Sequence, residues 1–182
     1  MKLVLYPNEI LRQKTEEVEQ IDGEIQTLIQ EMYQVLEKEG GLGLAAPQVG
    51  RSQAIFIVQT EKEKYTFINP EIIEKEGTQY NYEGCLSLPG VQERVYRSYR
   101  VVIRALNEQG KPFTLDTQTN DLLAQVIQHE YDHIQGTLMI DHLDEVQKGR
   151  ARVQLKRLTK LEKLSKKVSG KMKEIKRKPK KH

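Results

Sequence analysis

Apolar residues recur at helical intervals from Asp22 to Glu39, where Ile25, Leu28, Ile29, Met32 and Leu36 form one stripe. Asp22 is the expected N-cap, and Gly40-Gly41 ends the segment. Extended stretches follow at Gln53–Thr60 and Tyr65–Ile68, parted by the charged turn Glu61–Lys64 and closed by Asn69-Pro70. Arg100–Leu106 and Pro112–Thr117 predict a hairpin around Asn107–Gly110. A second helix is expected from near Asn120 to Gly136, and a third from about Asp144 into the carboxy-terminal tail. Leu158, Leu161, Leu164 and Val168 give that third helix a thin apolar edge, while the stretch beyond Gly170 should fray on its own. No internal repeat is visible. Helices and strands do not alternate strictly, so the pattern predicts an α+β fold rather than a doubly wound parallel sheet.

Length and charge refine this picture. The 182 residues suit one domain with an appendage. No apolar run is long enough to span a bilayer, and Met1–Pro7 turns polar too soon for a signal peptide. The single cysteine, Cys85, cannot form an internal disulfide, so a reducing, cytoplasmic setting is expected. The net charge of +3 hides an asymmetry: residues 148–182 carry 16 Lys and Arg against two Glu, a net of +14, which leaves −11 for residues 1–147. A basic segment on an acidic body points to a polyanionic partner, although such segments are more often merely solvated.

The chemistry concentrates in Gln128-His129-Glu130-Tyr131-Asp132-His133, an H-E-x-x-H sequence within the second predicted helix. Positions i and i+4 lie one above the other, so His129 and His133 can reach one metal ion. Glu130, beside the first histidine, can accept a proton from a water bound there. Leu122 and Val126 precede the histidines at spacings of four and three, which puts an apolar wall on the same face. A solvated helix with two unrelated histidines is the blander interpretation, and the paired spacing disfavours it.

A catalytic metal usually has three protein ligands and an open position. His142 and His182 do not fit the metzincin spacing. A lone cysteine is most often a small core residue. Cys85 nevertheless sits in Glu83-Gly84-Cys85-Leu86-Ser87, where a ligand on a loop is more credible. The small-residue stretch Gly41-Leu42-Gly43-Leu44-Ala45-Ala46-Pro47-Gln48 lacks the Lys-Ser/Thr ending of a phosphate loop and follows a helix rather than a strand. Such residues let a ligand approach the backbone closely, and Gln48 adds a neutral donor for a carbonyl oxygen.

Taken in order, these three segments resemble the signature motifs of the bacterial-type peptide deformylases, G-φ-G-φ-A-A-x-Q, E-G-C-φ-S and Q-H-E-x-D-H, and match at every fixed position. The resemblance extends to about residue 145. It implies small antiparallel sheets packed around the motif helix. It also implies metal ligation by Cys85, His129 and His133, natively of Fe(II), with Zn(II), Ni(II) or Co(II) able to substitute. Glu130 would be the general acid and base, with Gln48 and the Leu86 backbone N–H as oxyanion donors. Leu42, Gly43 and Gly84 would hold the substrate as an added strand, and Leu122 and Val126 would line a methionine pocket. Asp132 matches a carboxylate paired with the residue at Arg97, in a supporting role.

The implied reaction removes the formyl group from the amino-terminal methionine of nascent polypeptides and releases formate. Residues 1–147 would then be the catalytic domain and residues 148–182 a basic helix and tail, a candidate for contact with the ribosome and its RNA. A cytoplasmic monomer without membrane attachment is expected. Two features depart from the pattern: Gln125 occupies a position that is often apolar, and the tail exceeds what the chemistry needs. Two other functions compete. A zincin-like protease would leave Cys85 without a role. An RNA-binding protein with a purely structural metal would leave Gln48 and Glu130 without one.

Overall fold

The computed structural model describes residues 1–118, 120–157 and 160. Asp22 caps α1 (Gly23–Glu39) by accepting the N–H groups of Glu24 and Ile25, and Gly40 closes it at φ 70°. The apolar stripe of α1, with Val35 added, is buried. It packs on one face of a five-stranded antiparallel sheet, against Leu44, Ile55, Ile57 and Ile68. That sheet has the order β1-β2-β3-β6-β7, formed by β1 (Gly43–Ala45), β2 (Ile55–Gln59), β3 (Lys64–Glu76), β6 (Arg100–Leu106) and β7 (Pro112–Asp116). β4 (Gln79–Gly84) and β5 (Gln92–Arg97) pair as a separate ribbon.

The opposite face of the sheet presents Phe56, Val58, Phe67 and Ile103 to α2 (Asp121–Ile134), which buries Leu123, Ala124, Ile127 and Ile134 against them. Ile55 and Ile57 therefore serve α1 while Phe56 and Val58 serve α2. A strand covered on both faces reads as an unbroken apolar run, as this one does. Asn120 caps α2 by accepting the Leu123 N–H at 3.0 Å. Gly136, at φ 73°, turns the chain back so tightly that a Cβ there would lie 2.6 Å from the Arg12 carbonyl oxygen.

A third cluster under the ribbon joins Leu11, Cys85, Leu88, Val95, Met139 and Leu143 to Ala151. Ala151 belongs to α3 (residues 145–157), whose start carries a reciprocal cap. Asp144 accepts the Gln147 N–H at 2.8 Å, and the Gln147 side chain accepts the Asp144 N–H at 3.1 Å. Arg150 then pairs with Glu93 of β5 at 2.7 Å. The expected edge at Leu158, Leu161, Leu164 and Val168 lies outside the described residues. Among those described, no helix is long and apolar enough to cross a membrane.

Two differences from the sequence pattern matter. Asn69-Pro70 does not end the strand: β3 continues to Glu76, with irregular register between Ile68 and Glu71 and again between Ile72 and Glu74. A proline is tolerated at such a bulge because the ladder is already interrupted. The β4–β5 ribbon also lies where no strand was expected, and it carries the loop that follows Gly84.

Candidate metal centre

Three structural pieces build the site. β1 and the 3-10 turn Ala46–Val49 supply Gln48. The loop after β4 supplies Cys85, and α2 supplies the histidines and Glu130. The ligand atoms offered by Cys85, His129 and His133 all lie within 4.8 Å of one another, and all three residues are buried. Cys85 Sγ is 3.3 Å from His133 Nε2. His129 turns Nδ1 toward Glu83 Oε2 at 2.9 Å. Since a carboxylate only accepts, Nδ1 carries a proton, and Nε2 is the nitrogen left to ligate a metal in place of a proton of its own.

Glu83 is itself fixed. Arg97 donates Nε to its Oε1 at 2.7 Å and Nη2 to its Oε2 at 3.0 Å, and the same guanidinium reaches Asp132 Oδ2 through Nη1 at 2.6 Å. Burial opposes ionisation of Glu83, but the bonds from His129 and Arg97 prevail and bring its pKa down to about 2. The Arg97–Asp132 pair matches the supporting role expected for Asp132.

The electrostatics favour a positive charge at this spot. Burial disfavours protonation of His129, yet hydrogen bonding with Cys85 and Glu83 raises its pKa well above the usual histidine value. At His133 burial prevails and the ring is held neutral. One thiol and two imidazoles around a point that stabilises a cation form a donor set suited to a divalent transition metal. Among the described residues, Glu130 Oε2 is buried without a hydrogen-bond partner. Burial raises the Glu130 carboxyl to about 7, with the nearby His129 pulling the other way.

Glu130 depends on a glycine for its position. A Cβ on Gly43 would stand 2.5 Å from Glu130 Oε1 and 2.7 Å from its Cγ. Gln48 is fixed by its own carbonyl, which accepts the Ala45 N–H at 2.8 Å. Its NH₂ is thereby directed at the site, 3.7 Å from Cys85 Sγ and 3.3 Å from Ser87 Oγ.

A cleft of about 1010 Å³ opens over these groups, and Leu42, Gly43, Gly84, Leu86, Leu122 and Val126 are all on its walls. Leu42 and Leu122 are exposed at the mouth, so the apolar wall of α2 begins in solvent rather than in the core. The cleft is more polar than that wall alone implies. Gln125 also lines it, and is buried with its amide donating to the Tyr82 carbonyl at 2.9 Å.

The motifs thus brought Gln48, Cys85, His129 and Glu130 to one cleft, with His133 buried beside Cys85, while two members of the network lie outside what the motifs assign. Glu83 stood inside the E-G-C motif without an assigned task. His142, set aside for its spacing, lies 2.7 Å from Asp132 Oδ2. Cys85 stands with the histidines, a residue that a zincin-like protease would leave idle.

Comparison with known proteins agrees with this geometry. Residues 1–149 match the sequence profile of the family described as polypeptide deformylase. The chain is 44% identical over 153 residues to the peptide deformylase of Borreliella burgdorferi, covering 82% of this chain and 92% of that protein. It is 48% identical over 136 residues to the peptide deformylase of Clostridium botulinum, covering 75% and 91%. The crystal structure of a peptide deformylase from Legionella pneumophila superposes with a TM-score of 0.83 at 37% identity, over 88% of this chain and 96% of that one. With the three motifs, the Cys-His-His cluster and the fold all in agreement, the chain belongs to the polypeptide deformylase family.

Proposed function

We propose that Cys85, His129 and His133 hold one divalent cation, and that Glu130 moves the proton in the deformylation this chain carries out. The observation that carries the assignment is one thiol and two imidazoles within 4.8 Å, beside a buried carboxyl poised at about 7. A bound cation would supply Lewis acidity toward the formyl carbonyl and water. Glu130 accepts the proton of the attacking water as the new C–O bond forms. It delivers that proton to the amine nitrogen as the C–N bond breaks, leaving formate and a free amino terminus. The directed NH₂ of Gln48 and the backbone N–H of Leu86 stabilise the oxyanion.

Among the described residues, β1 ends its sheet and β4 pairs only with β5, and both border the cleft. Free strand edges at Leu42, Gly43 and Gly84 suit an extended peptide held by backbone hydrogen bonds. Leu122 and Val126 meet the methionine side chain. Formate release from formyl-Met-Ala-Ser by anaerobically purified protein tests this reading. No release by protein with metal at stoichiometric occupancy would overturn it.

The native metal in this proposal is Fe(II), with Zn(II), Ni(II) or Co(II) able to replace it, since a Cys/His₂ set accommodates all four. Iron-loaded enzyme should then lose most of its activity within a short exposure to air or peroxide, because thiolate and ferrous iron are both oxidisable. Zinc- or nickel-loaded enzyme should survive the same treatment. Air-stable activity with iron demonstrably bound would contradict this.

The proposal also assigns residues 1–147 to catalysis and the basic residues 148–182 to contact with the ribosome, in the cytoplasm where formylated chains are made. Every group invoked comes from one chain, so a monomer suffices. Ending the chain at Lys160 keeps the docked part of α3 and removes ten Lys and Arg against two Glu. That variant should lose ribosome co-sedimentation, and the full chain's binding should weaken steeply with salt as counterions return to the phosphates. Turnover of a formylated tripeptide should be largely preserved. Unchanged co-sedimentation would reject the ribosomal role.

A further inference from the structure

His142 closes the 3-10 turn Met139–His142, ten residues beyond Asp132 in sequence and outside all three motifs. Its Nε2 lies 2.7 Å from Asp132 Oδ2, the same oxygen that takes Arg97 Nη1 at 2.6 Å. A carboxylate beside a buried guanidinium is ionised and accepts only, so His142 Nε2 must carry a proton and donate it. The 3.4 Å approach of Arg97 Nη1 to His142 Nε2 is then two donors sharing one acceptor, not a bond between them.

From there the connections run inward. Asp132 holds Arg97, Arg97 grips Glu83 with its Nε and Nη2, and Glu83 Oε2 receives His129 Nδ1. Side-chain exposure falls along this path, from 35% at His142 and 20% at Asp132 to 4% at Arg97 and 3% at Glu83. Arg97 is the pivot. Its fork fixes the plane of Glu83, and Glu83 fixes the plane of the His129 ring. Arg97 itself is buried, but its outer partner Asp132 is partly exposed, and His142 secures that side.

We propose that His142 is a positioning residue for the metal centre, acting through Asp132, Arg97 and Glu83 to hold His129 Nε2 in its ligating orientation. The proposal rests on the assignment of Cys85, His129 and His133 as ligands. Without the His142 proton Asp132 keeps one fewer donor, Arg97 has room to rock about its fork with Glu83, and His129 loses its fixed angle.

Cobalt(II) provides the test, since its visible spectrum reports ligand geometry and a thiolate-to-cobalt band reports Cys85 directly. His142→Ala should raise the Co(II) dissociation constant about five- to tenfold, below the 10–100-fold typical when a direct partner of a ligand is lost. It should also shift the d–d bands. His142→Gln, whose amide N–H can reach the position of Nε2–H, should restore most of both. A role limited to stability would lower the melting temperature without moving the spectrum or separating Gln from Ala.

If the wild-type cobalt protein shows the thiolate band while His142→Ala matches it in spectrum and affinity within twofold, the proposal is wrong and the ligand assignment stands. If the wild type shows no thiolate band, the ligand assignment fails and the proposal falls with it.

Discussion

Glu130→Gln should keep its metal and lose about 10³-fold in kcat/KM, within the range for a lost general acid-base group. That loss corresponds to about 4 kcal/mol of activation free energy. Glutamine has nearly the same shape, so it can occupy the buried slot against Gly43 without disturbing His129 or His133. What it cannot do is accept a proton and return it. Burial has raised the carboxyl to about 7, where both protonation states are within reach near neutral pH. Metal content by atomic absorption and formate release on the same preparation would separate the two functions. Near-normal turnover with metal at full occupancy would remove Glu130 from the proton path.

Gly43→Ala should cost about 10²-fold in kcat, the scale expected when a reacting group is displaced by about 1 Å. The added methyl would overlap Glu130 Oε1, Cγ and Cδ, with contacts of 2.5, 2.7 and 2.9 Å. Neither side can yield easily. Gly43 is held in register opposite Val58, and Glu130 sits on a helix whose apolar face is locked into the sheet. Overpacking should also lower stability by about 1–3 kcal/mol. Adding Glu130→Ala to Gly43→Ala should recover that stability without recovering activity, the coupling expected of a direct clash. A single variant with normal kcat would show that the strand shifts freely.

How much of this was legible depended on whether burial and chemistry coincided along the chain. α1 and the α2 histidine pair were readable because their periodicity is also their function: the face that packs or ligates repeats every three or four residues. The β6–β7 hairpin announced itself through Asn107–Gly110. Asn69-Pro70 has the composition of a stop, so the sequence pattern ends β3 too early. In fact Asn69 adopts φ 50° and bonds both the N–H and the carbonyl of Val18, filling the place of a lost ladder pair.

The ribbon was hidden for a different reason. The inward positions of β5 are Glu93, Val95 and Arg97, so two of three buried side chains are charged and the alternation is disguised. Cys85 and the Asp132 partner Arg97 were still legible from the motifs, but the task of Glu83 was hidden with the ribbon. Glu83 and Arg97 look like surface residues in the sequence and become an internal ion pair only once α2 lies across them.

Beside the Arg97–Asp132 and Glu83–His129 contacts, the junction between that ribbon and α2 is made by glutamine amides. Gln125 donates to the Tyr82 carbonyl at 2.9 Å, and Gln128 takes the Ser98 N–H at 3.1 Å while donating to the Ser98 carbonyl at 2.9 Å. Gln79 reaches back from the ribbon to the Asp121 carbonyl at 2.8 Å. Cys85 follows one side of this seam and the two histidines ride on the other, so these amides help set the separation of the ligands. Dipolar bonds of this kind carry no net charge to be screened and no proton to be gained or lost near neutrality. With the ionic contacts of the seam largely buried and the rest of it uncharged, the spacing of the metal triangle is little exposed to ionic strength, even though the chain that carries it is divided into strongly acidic and strongly basic parts.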